Sequence, residues 1–274
     1  HLSSPMTKAR TSSRRSEVSV PAHETIGYCL PTWETTVDRA RQGMFHRAAD
    51  VDGTLFGNSV DVSILANDCL HGARPRDALG AKRLHVGVRV RQSVPVSLGE
   101  SLQVLARVDN VRPDRRGRYI HIGFAFQRAN GTIPVTIDHQ SLILDADPST
   151  IAVKTRMSEP ESERFNALRS MQITPAMASG YSFEFPHLRA HHDAEAAAAI
   201  GMRAPIAQGL MGFTILIQEK VRSGLADTFD VEAGFRRPIF WDDLLDLEGF
   251  RGTHFRARNQ DGKTVSEILI HDWS

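Results

Sequence analysis

The chain has 274 residues, of which 41% are hydrophobic and 24% are charged, and its formal net charge is +1. These values are ordinary for one large or two smaller globular domains, and a near-neutral chain has no overall field that would attract nucleic acid. No apolar run reaches the roughly 18 residues needed to span a bilayer. Two cysteines, Cys29 and Cys69, are too few for a disulfide framework. We therefore expect a cytoplasmic protein that binds neither nucleic acid nor membrane.

Residues 1–21 differ in composition from the rest of the chain. His1 to Pro5 precede the first methionine, Met6, and we interpret them as a remnant of an expression tag. The following "TKARTSSRRSEVSV" is basic, rich in serine and nearly free of large apolar residues, which is typical of a disordered tail. A targeting peptide shares this bias, but the stretch is short and lacks an apolar face.

The first predicted helix lies in "GNSVDVSILANDCLHG". Val60, Ile64, Leu65 and Cys69 recur near helical spacing, and Gly72 is a typical helix end.

Long antiparallel strands are predicted from residue 84 onward. "RLHVGVRVRQSVPV" and "SLQVLARVDNVRPD" alternate apolar and polar residues. "RYIHIGFAFQRANGTIPVTIDHQSLIL" adds two strands around Asn130 and Gly131, a dipeptide typical of tight hairpins. We expect His85, His121 and His139 on the polar faces of these strands.

The second half of the chain repeats this order. "GLMGFTILIQEKVRSG" predicts a helix from about Leu210 to Val221 that stops before Gly224. Its apolar residues occupy nearly every side, which indicates burial within a sheet. The strands "DVEAGFRRPIFWDD", "LLDLEGFRG" and "HFRARNQDGKTVSEILIHDW" follow, the last around a turn at Asp261 and Gly262.

Matching segments of the two halves indicate a duplicated domain. "RQSVPVSLGESLQV" matches "FRRPIFWDDLLDL", and "FQRANGTIPVTI" matches "FRARNQDGKTVSEI". The spacing of roughly 130 to 145 residues is too long for a solenoid. We predict domains at 22–148 and 171–274, joined by a polar connector at 149–170. The predicted fold class is α+β, with two long antiparallel sheets, each wrapped around a central helix, that pair edges and so remove two exposed edges.

The segment "HLRAHHDAEAAAAIGMRAPIAQG" precedes the second central helix. It resembles the motif of the MaoC-like (R)-specific enoyl-CoA hydratases and 3-hydroxyacyl dehydratases in their double-hotdog form. His191 falls on the motif histidine and Asp193 on the aspartate that follows it, and "PIAQG" matches Pro-Ile-Ala-His-Gly except at Gln208. The version in itaconyl- and mesaconyl-CoA hydratases is more similar, because Arg189 also agrees.

Two positions depart from the family pattern. Pro186 stands where the motif aspartate is expected, and Leu188 replaces the motif asparagine. The side chain of proline has no group that can accept or donate a proton. The resemblance therefore supports the fold more strongly than the usual Asp–His mechanism.

The resemblance implies reversible hydration or dehydration of an α,β-unsaturated acyl thioester of CoA or of a carrier protein, without a cofactor. This reaction needs a proton acceptor, a proton donor and stabilisation of an enolate-like oxygen. His191 is the predicted acid/base group, with His187 or Glu184 as the second. The N–H groups of Gly209 and Leu210, at the start of a helix, are the predicted oxyanion donors.

Further substrate contacts are predicted at Gln208, Arg189, Arg236 and Arg237, of which the last two precede a strand and have the charge to meet CoA phosphates. No metal is expected, because no second ligand cluster accompanies the histidines of the motif segment. In the first half, His46, Asp50, Asp52 and Asn58 lie where a motif is expected but form no His-x-Asp pattern, so we predict a supporting role for that half.

Three alternatives stay open. The histidines of the motif segment have a purely structural interpretation as loop residues. The same scaffold also supports another thioester reaction, such as hydrolysis, isomerisation or a specialised dehydration, or a subunit that binds acyl-CoA without turnover. We further predict a homodimer of double-hotdog chains.

Overall fold

The computed structural model describes residues 22–73, 83–145 and 165–274. The predicted tail and most of the predicted connector lie outside these residues. The described strands are β1 (Trp33–Thr36), β2 (Arg83–Gln92), β3 (Ser101–Asp114), β4 (Gly117–Gln127), β5 (Val135–Leu144), β6 (Asn166–Gln172), β7 (Phe229–Phe235), β8 (Leu244–Phe250), β9 (His254–Arg258) and β10 (Thr264–Trp273). The described α-helices are α1 (Arg39–Ala49), α2 (Val62–Ala73), α3 (Pro175–Tyr181), α4 (Ala194–Ala199) and α5 (Gly209–Val221).

The strands form one ten-stranded sheet in the order β1-β3-β4-β5-β2-β7-β10-β9-β8-β6. Counted outward from the β2–β7 junction, the two halves have the same connectivity, which is the pattern expected of a duplicated domain. Val88 pairs with Ala233 and Val90 with Val231 across this antiparallel junction. The two half-sheets therefore join edge to edge, which confirms the predicted α+β fold class and the predicted edge pairing.

The two central helices lie in the core, as predicted. Every residue from Leu210 to Gln218 of α5 is buried, and so is every residue from Val62 to Leu70 of α2. The helices contact each other, and both contact the sheet. Gly72 lies in the last turn of α2, where it packs against Trp33: an added Cβ would come within 2.6 Å of the indole ring.

The second half begins with an edge strand. β6 overlaps the end of the predicted connector and pairs with β8, just as β1 pairs with β3 at the opposite edge of the sheet. After each edge strand a capped helix follows: Asp38 accepts a hydrogen bond at the start of α1, and Thr174 does so at the start of α3. Among the described residues, no helix is long and apolar enough to cross a membrane.

Candidate active site at the start of the second central helix

His191 docks onto the segment that leads into α5. It ends a short 3₁₀ turn, Arg189–His191, and its Nδ1 lies 2.7 Å from the carbonyl oxygen of Ile206. The N–H of Ile206 donates in return to the carbonyl of Ala190 at 3.1 Å. These contacts hold the imidazole beside the chain that starts the central helix at Gly209.

The same hydrogen bond sets the tautomer of His191. A carbonyl oxygen only accepts, so Nδ1 must carry the hydrogen. The neutral ring then has its lone pair on Nε2, which is the form suited to accept a proton.

The neighbours of His191 have other contacts. His187 is exposed, and its ring centre lies 6.1 Å from that of Phe185. His192 is held between Ser179, at 2.8 Å from Nδ1, and the carbonyl of Phe185, at 3.3 Å from Nε2. A structural role follows for His192, since both ring nitrogens are engaged within the loop.

Asp193 and Arg189 form a local pair. Asp193 caps α4 by accepting a hydrogen bond from the N–H of Ala196 at 2.8 Å. Arg189 donates to the other carboxylate oxygen at 3.1 Å, and its side chain is largely exposed. The cap and the arginine lower the pKa of Asp193.

Glu184 lies in a charge cluster that joins the two halves. Arg41 Nε donates to Glu184 Oε1 at 2.6 Å, and His71 Nε2 lies 3.0 Å from Oε2. Burial raises the pKa of Glu184, but the hydrogen bonds from His71 and Arg41 outweigh it and lower the pKa to about 2. The carboxylate is therefore ionised near neutral pH and is held by two cationic or hydrogen-donating groups.

Arg41 also binds Asp68, on the first central helix. The Nη2–Oδ1 distance is 2.7 Å, and Thr35 donates to Oδ2 of the same carboxylate at 2.9 Å. Burial raises the pKa of Asp68, and this effect outweighs the lowering effect of Arg41. One guanidinium thus bridges a carboxylate from each half.

Phe235 covers the start of α5. An added Cβ at Gly209 would lie 2.8 Å from Phe235 Cγ, so only glycine fits beneath the ring. The predicted oxyanion donors, the N–H groups of Gly209 and Leu210, lie at this covered helix end.

Gln208 points into the protein interior. Its side chain is 4% exposed and donates to Ser182 Oγ at 3.1 Å, while Oε1 is buried without a hydrogen-bond partner. The two predicted arginines come directly after β7: Arg236 donates to Glu267, and Arg237 donates to the carbonyl of Thr264.

The sheet contributes two histidines that our sequence reasoning misplaced. His139 is 1% exposed and lies on the helix-facing side of β5, so its prediction as a polar-face residue is wrong. Its ring stacks on that of His85 with centres 4.1 Å apart, and His85 contacts Phe235 edge-on at 4.7 Å. The signal for His139 was present, because it alternates in phase with the buried Ile137.

The first half has a different pair at the equivalent position. The N–H of Val60, one residue before Asp61, donates to a carbonyl in the loop after β2. The N–H of Ala207, one residue before Gln208, donates to a carbonyl in the loop after β7, the equivalent strand of the second half. Asp61 is therefore the counterpart of Gln208. Asp61 Oδ2 lies 2.9 Å from His46 Nε2, and both side chains are buried. Sequence spacing did not predict this pairing.

Among the residues that the structure describes, no group of three or more His, Cys, Asp or Glu is placed to hold a metal ion.

Comparisons with known proteins give the fold a context. No family model matches the sequence. A search of curated proteins finds no match either. Solved structures do match over most of the chain. HtdX of Mycobacterium tuberculosis is 17% identical with a TM-score of 0.68, covering 88% of this chain and 99% of that one.

Two further structures show the range of the likeness. A MaoC-like dehydratase from Phytophthora capsici is 16% identical with a TM-score of 0.66, covering 89% of this chain and 96% of that one. An acyl-ACP thioesterase from Bacteroides thetaiotaomicron is 10% identical with a TM-score of 0.52, covering 88% and 96%. The chain therefore has the double-hotdog fold that MaoC-like dehydratases share.

Proposed function

We propose that the protein reversibly adds water to an α,β-unsaturated acyl thioester, with His191 as the general acid/base. The observation that carries this proposal is the 2.7 Å bond from His191 Nδ1 to the Ile206 carbonyl, which holds the ring beside the segment that leads into α5 and makes Nε2 the nitrogen suited to accept a proton. Dehydratases with the same fold support the reaction class.

The N-terminal N–H groups of α5 are the proposed oxyanion donors. The first N–H groups of a helix have no partner within it, and the helix dipole favours negative charge there. Gln208, the residue before the helix, makes no side-chain capping bond. Gly209 and Leu210 thus have donors suited to an enolate-like thioester oxygen.

The second proton carrier was predicted at His187 or Glu184. Glu184, with a pKa of about 2 and both oxygens engaged, is better suited to hold the two halves together. His187 is exposed on the motif loop, and a substrate that covers the loop would bring it into contact.

The proposed substrate is a thioester of CoA or of an acyl carrier protein, with itaconyl- and mesaconyl-CoA as the first candidates. Arg189, Arg236 and Arg237 are proposed to meet its phosphates, and Gln208 to shape the site from within. The reaction needs no cofactor. We also propose two hotdog domains at 22–148 and 171–274, a homodimer of such chains, and a cytoplasmic location.

The test is an assay on crotonyl-, itaconyl- and mesaconyl-CoA. Loss of the enoyl absorbance without release of free thiol supports hydration. His191→Ala is expected to lower kcat by about 10²- to 10⁴-fold. His271→Ala is the matched control, because that histidine of β10 is exposed and pairs with Glu232 on the neighbouring strand β7. Equal activity in both variants would refute the role of His191.

Thioester hydrolysis is the second candidate. It is favoured by the shared fold with an acyl-ACP thioesterase and by Pro186 and Leu188 at the positions of the motif aspartate and asparagine. Release of free thiol with no hydrated product would select it. Acyl-CoA binding without any product would select the non-catalytic subunit.

A further inference from the structure

We propose that His85, from the first half, is the second proton carrier of the site, and that the ring of Phe235 covers the oxyanion position until substrate displaces it. This inference rests on the proposed function, since it names a further residue for the same reaction.

A β-bulge brings His85 to the helix-facing side of the sheet. The register of β2 shifts between His85 and Gly87, so His85 pairs with Ser141. Ser141 is buried, and its Oγ lies 2.9 Å from His139 Nε2. The stacked imidazoles of His85 and His139 therefore lie next to the β2–β7 junction, on the face that meets the central helices.

Phe235 is the link between this histidine pair and α5. On one side, its ring contacts the ring of His85, with 4.7 Å between the ring centres. On the other side, three of its ring carbons lie 2.8–3.2 Å from the position of a Gly209 Cβ. Phe235 is partly exposed, so part of its side chain borders solvent. A rotation of the ring towards solvent would leave an open space between His85 and the first N–H groups of α5.

Two histidines account for the two proton transfers of the reaction. His191 Nε2 takes a proton from water while the water oxygen bonds to Cβ, and the electron pair of the Cα=Cβ bond moves towards the thioester oxygen. The N–H groups at the start of α5 stabilise that oxygen. His85 in its imidazolium form, with Nε2 held 3.2 Å from the carbonyl oxygen of Gly87, then delivers a proton to Cα, and proton exchange with solvent restores both rings. In the reverse direction, His85 removes the Cα proton and His191 protonates the departing hydroxyl.

The first test replaces His85 by asparagine, which keeps a hydrogen-bonding side chain but carries no proton. His85→Asn is expected to lower kcat for crotonyl-CoA hydration by about 10²- to 10⁴-fold with little change in KM. His121→Asn is the control, because His121 is a strand histidine bonded to Gln140 and alternates with the buried Ile120 and Ile122.

The second test measures binding rather than turnover, with a ketone analogue of butyryl-CoA in which a methylene group separates the sulfur from the carbonyl, so that the oxygen is kept and no hydrolysis or hydration occurs. Phe235→Ala is expected to tighten binding by on the order of tenfold, because a covered site binds in proportion to its open fraction. Phe235→Trp is expected to weaken it. Wild-type protein labelled at its histidines is expected to show a changed His85 NMR signal on binding, a measurement that needs no variant to fold.

The outcomes separate this inference from the proposed function. Hydration that depends on His191 but is equal in His85→Asn and His121→Asn overturns the role of His85 alone. Unchanged affinity in Phe235→Ala, or an unchanged His85 signal on binding, overturns the covered site. A wild-type protein that neither binds the analogue nor hydrates crotonyl-CoA overturns the proposed function and this inference together.

Discussion

The N-terminal ends of the two central helices occupy equivalent places but have different surroundings. At α5, Gly209 lies beneath the ring of Phe235, and the residue before it is an uncharged glutamine bonded to a serine. At α2, the equivalent residue is Val62, and the residue before it is Asp61, bonded to His46. The motif segment and the buried His–Asp pair therefore belong to opposite halves.

The two ends also differ in the space around them. A small cleft borders the start of α2 and has apolar walls that include Phe56, Val221 and Phe229. At α5, an aromatic ring fills the corresponding approach. The duplication thus keeps the backbone arrangement, while the side chains of each half determine what each helix end can bind.

The largest expected effect tests whether the buried His46–Asp61 pair of the first half is structural rather than catalytic. His46→Ala removes the partner of a buried carboxylate and leaves a cavity beside Phe56, so it is expected to reduce the free energy of unfolding by about 3–5 kcal/mol. Urea unfolding measures this cost, and kcat per folded molecule is expected to stay close to wild type. A variant that folds normally but has lost activity would show that His46 takes part in the reaction.

Arg41→Met tests the bridge between the halves. It leaves the buried Asp68 and the partly buried Glu184 without their shared cation, and we expect a loss of about 3 kcal/mol in unfolding free energy. Arg107→Met is the control, because its ion pair with Asp109 is exposed and is expected to contribute about 0.5 kcal/mol or less. Similar losses in the two variants would show that the bridge does not hold the halves together.

The pH dependence of stability follows from Glu184. Its folded pKa, about 2, lies below the ordinary value of 4.5, so its contribution is present above about pH 4.5 and is lost as the pH falls towards 2. We expect about 2 kcal/mol from this group after allowance for its partial exposure. Glu184→Gln should flatten the loss of Tm over this range.

Protonation of Asp68 is expected to affect folding stability in the opposite direction to protonation of Glu184. Because burial raises its pKa, protonation of Asp68 in acid favours the folded state. Asp68→Asn is therefore expected to keep the acid loss of Tm or to steepen it. Parallel curves for Glu184→Gln and wild type would contradict the assignment of that loss to Glu184.

The smallest expected effect concerns the covered helix end. Gly209→Ala forces the new Cβ against Phe235 and is expected to cost about 1–2 kcal/mol, measured by urea unfolding. The double variant Gly209→Ala/Phe235→Ala should recover part of the Gly209→Ala loss when compared with Phe235→Ala alone. Gly180→Ala, in α3, is the control: its Cβ would meet only Ala48 at 3.5 Å, so stability is expected to stay equal or to rise.

Much of the fold could be predicted because its signals are local. The burial of α5 follows from apolar residues on every side of one segment, and the turn at Asn130 and Gly131 follows from a dipeptide. The edge strand β6 was harder to predict. Only Met171 of its seven residues is buried, so the strand has almost no apolar alternation to read.

The sequence by itself determined the two central helices, the strands that follow each of them, the repeat of that order, and the place of His191 before the second central helix. Only the tertiary structure decided which polar groups meet. Glu184 joins Arg41 across the two halves, and His85 reaches Phe235 because a bulge turns it to the inner face. Residue periodicity specifies the face of one element, whereas such contacts depend on strand register and on how the two halves pack.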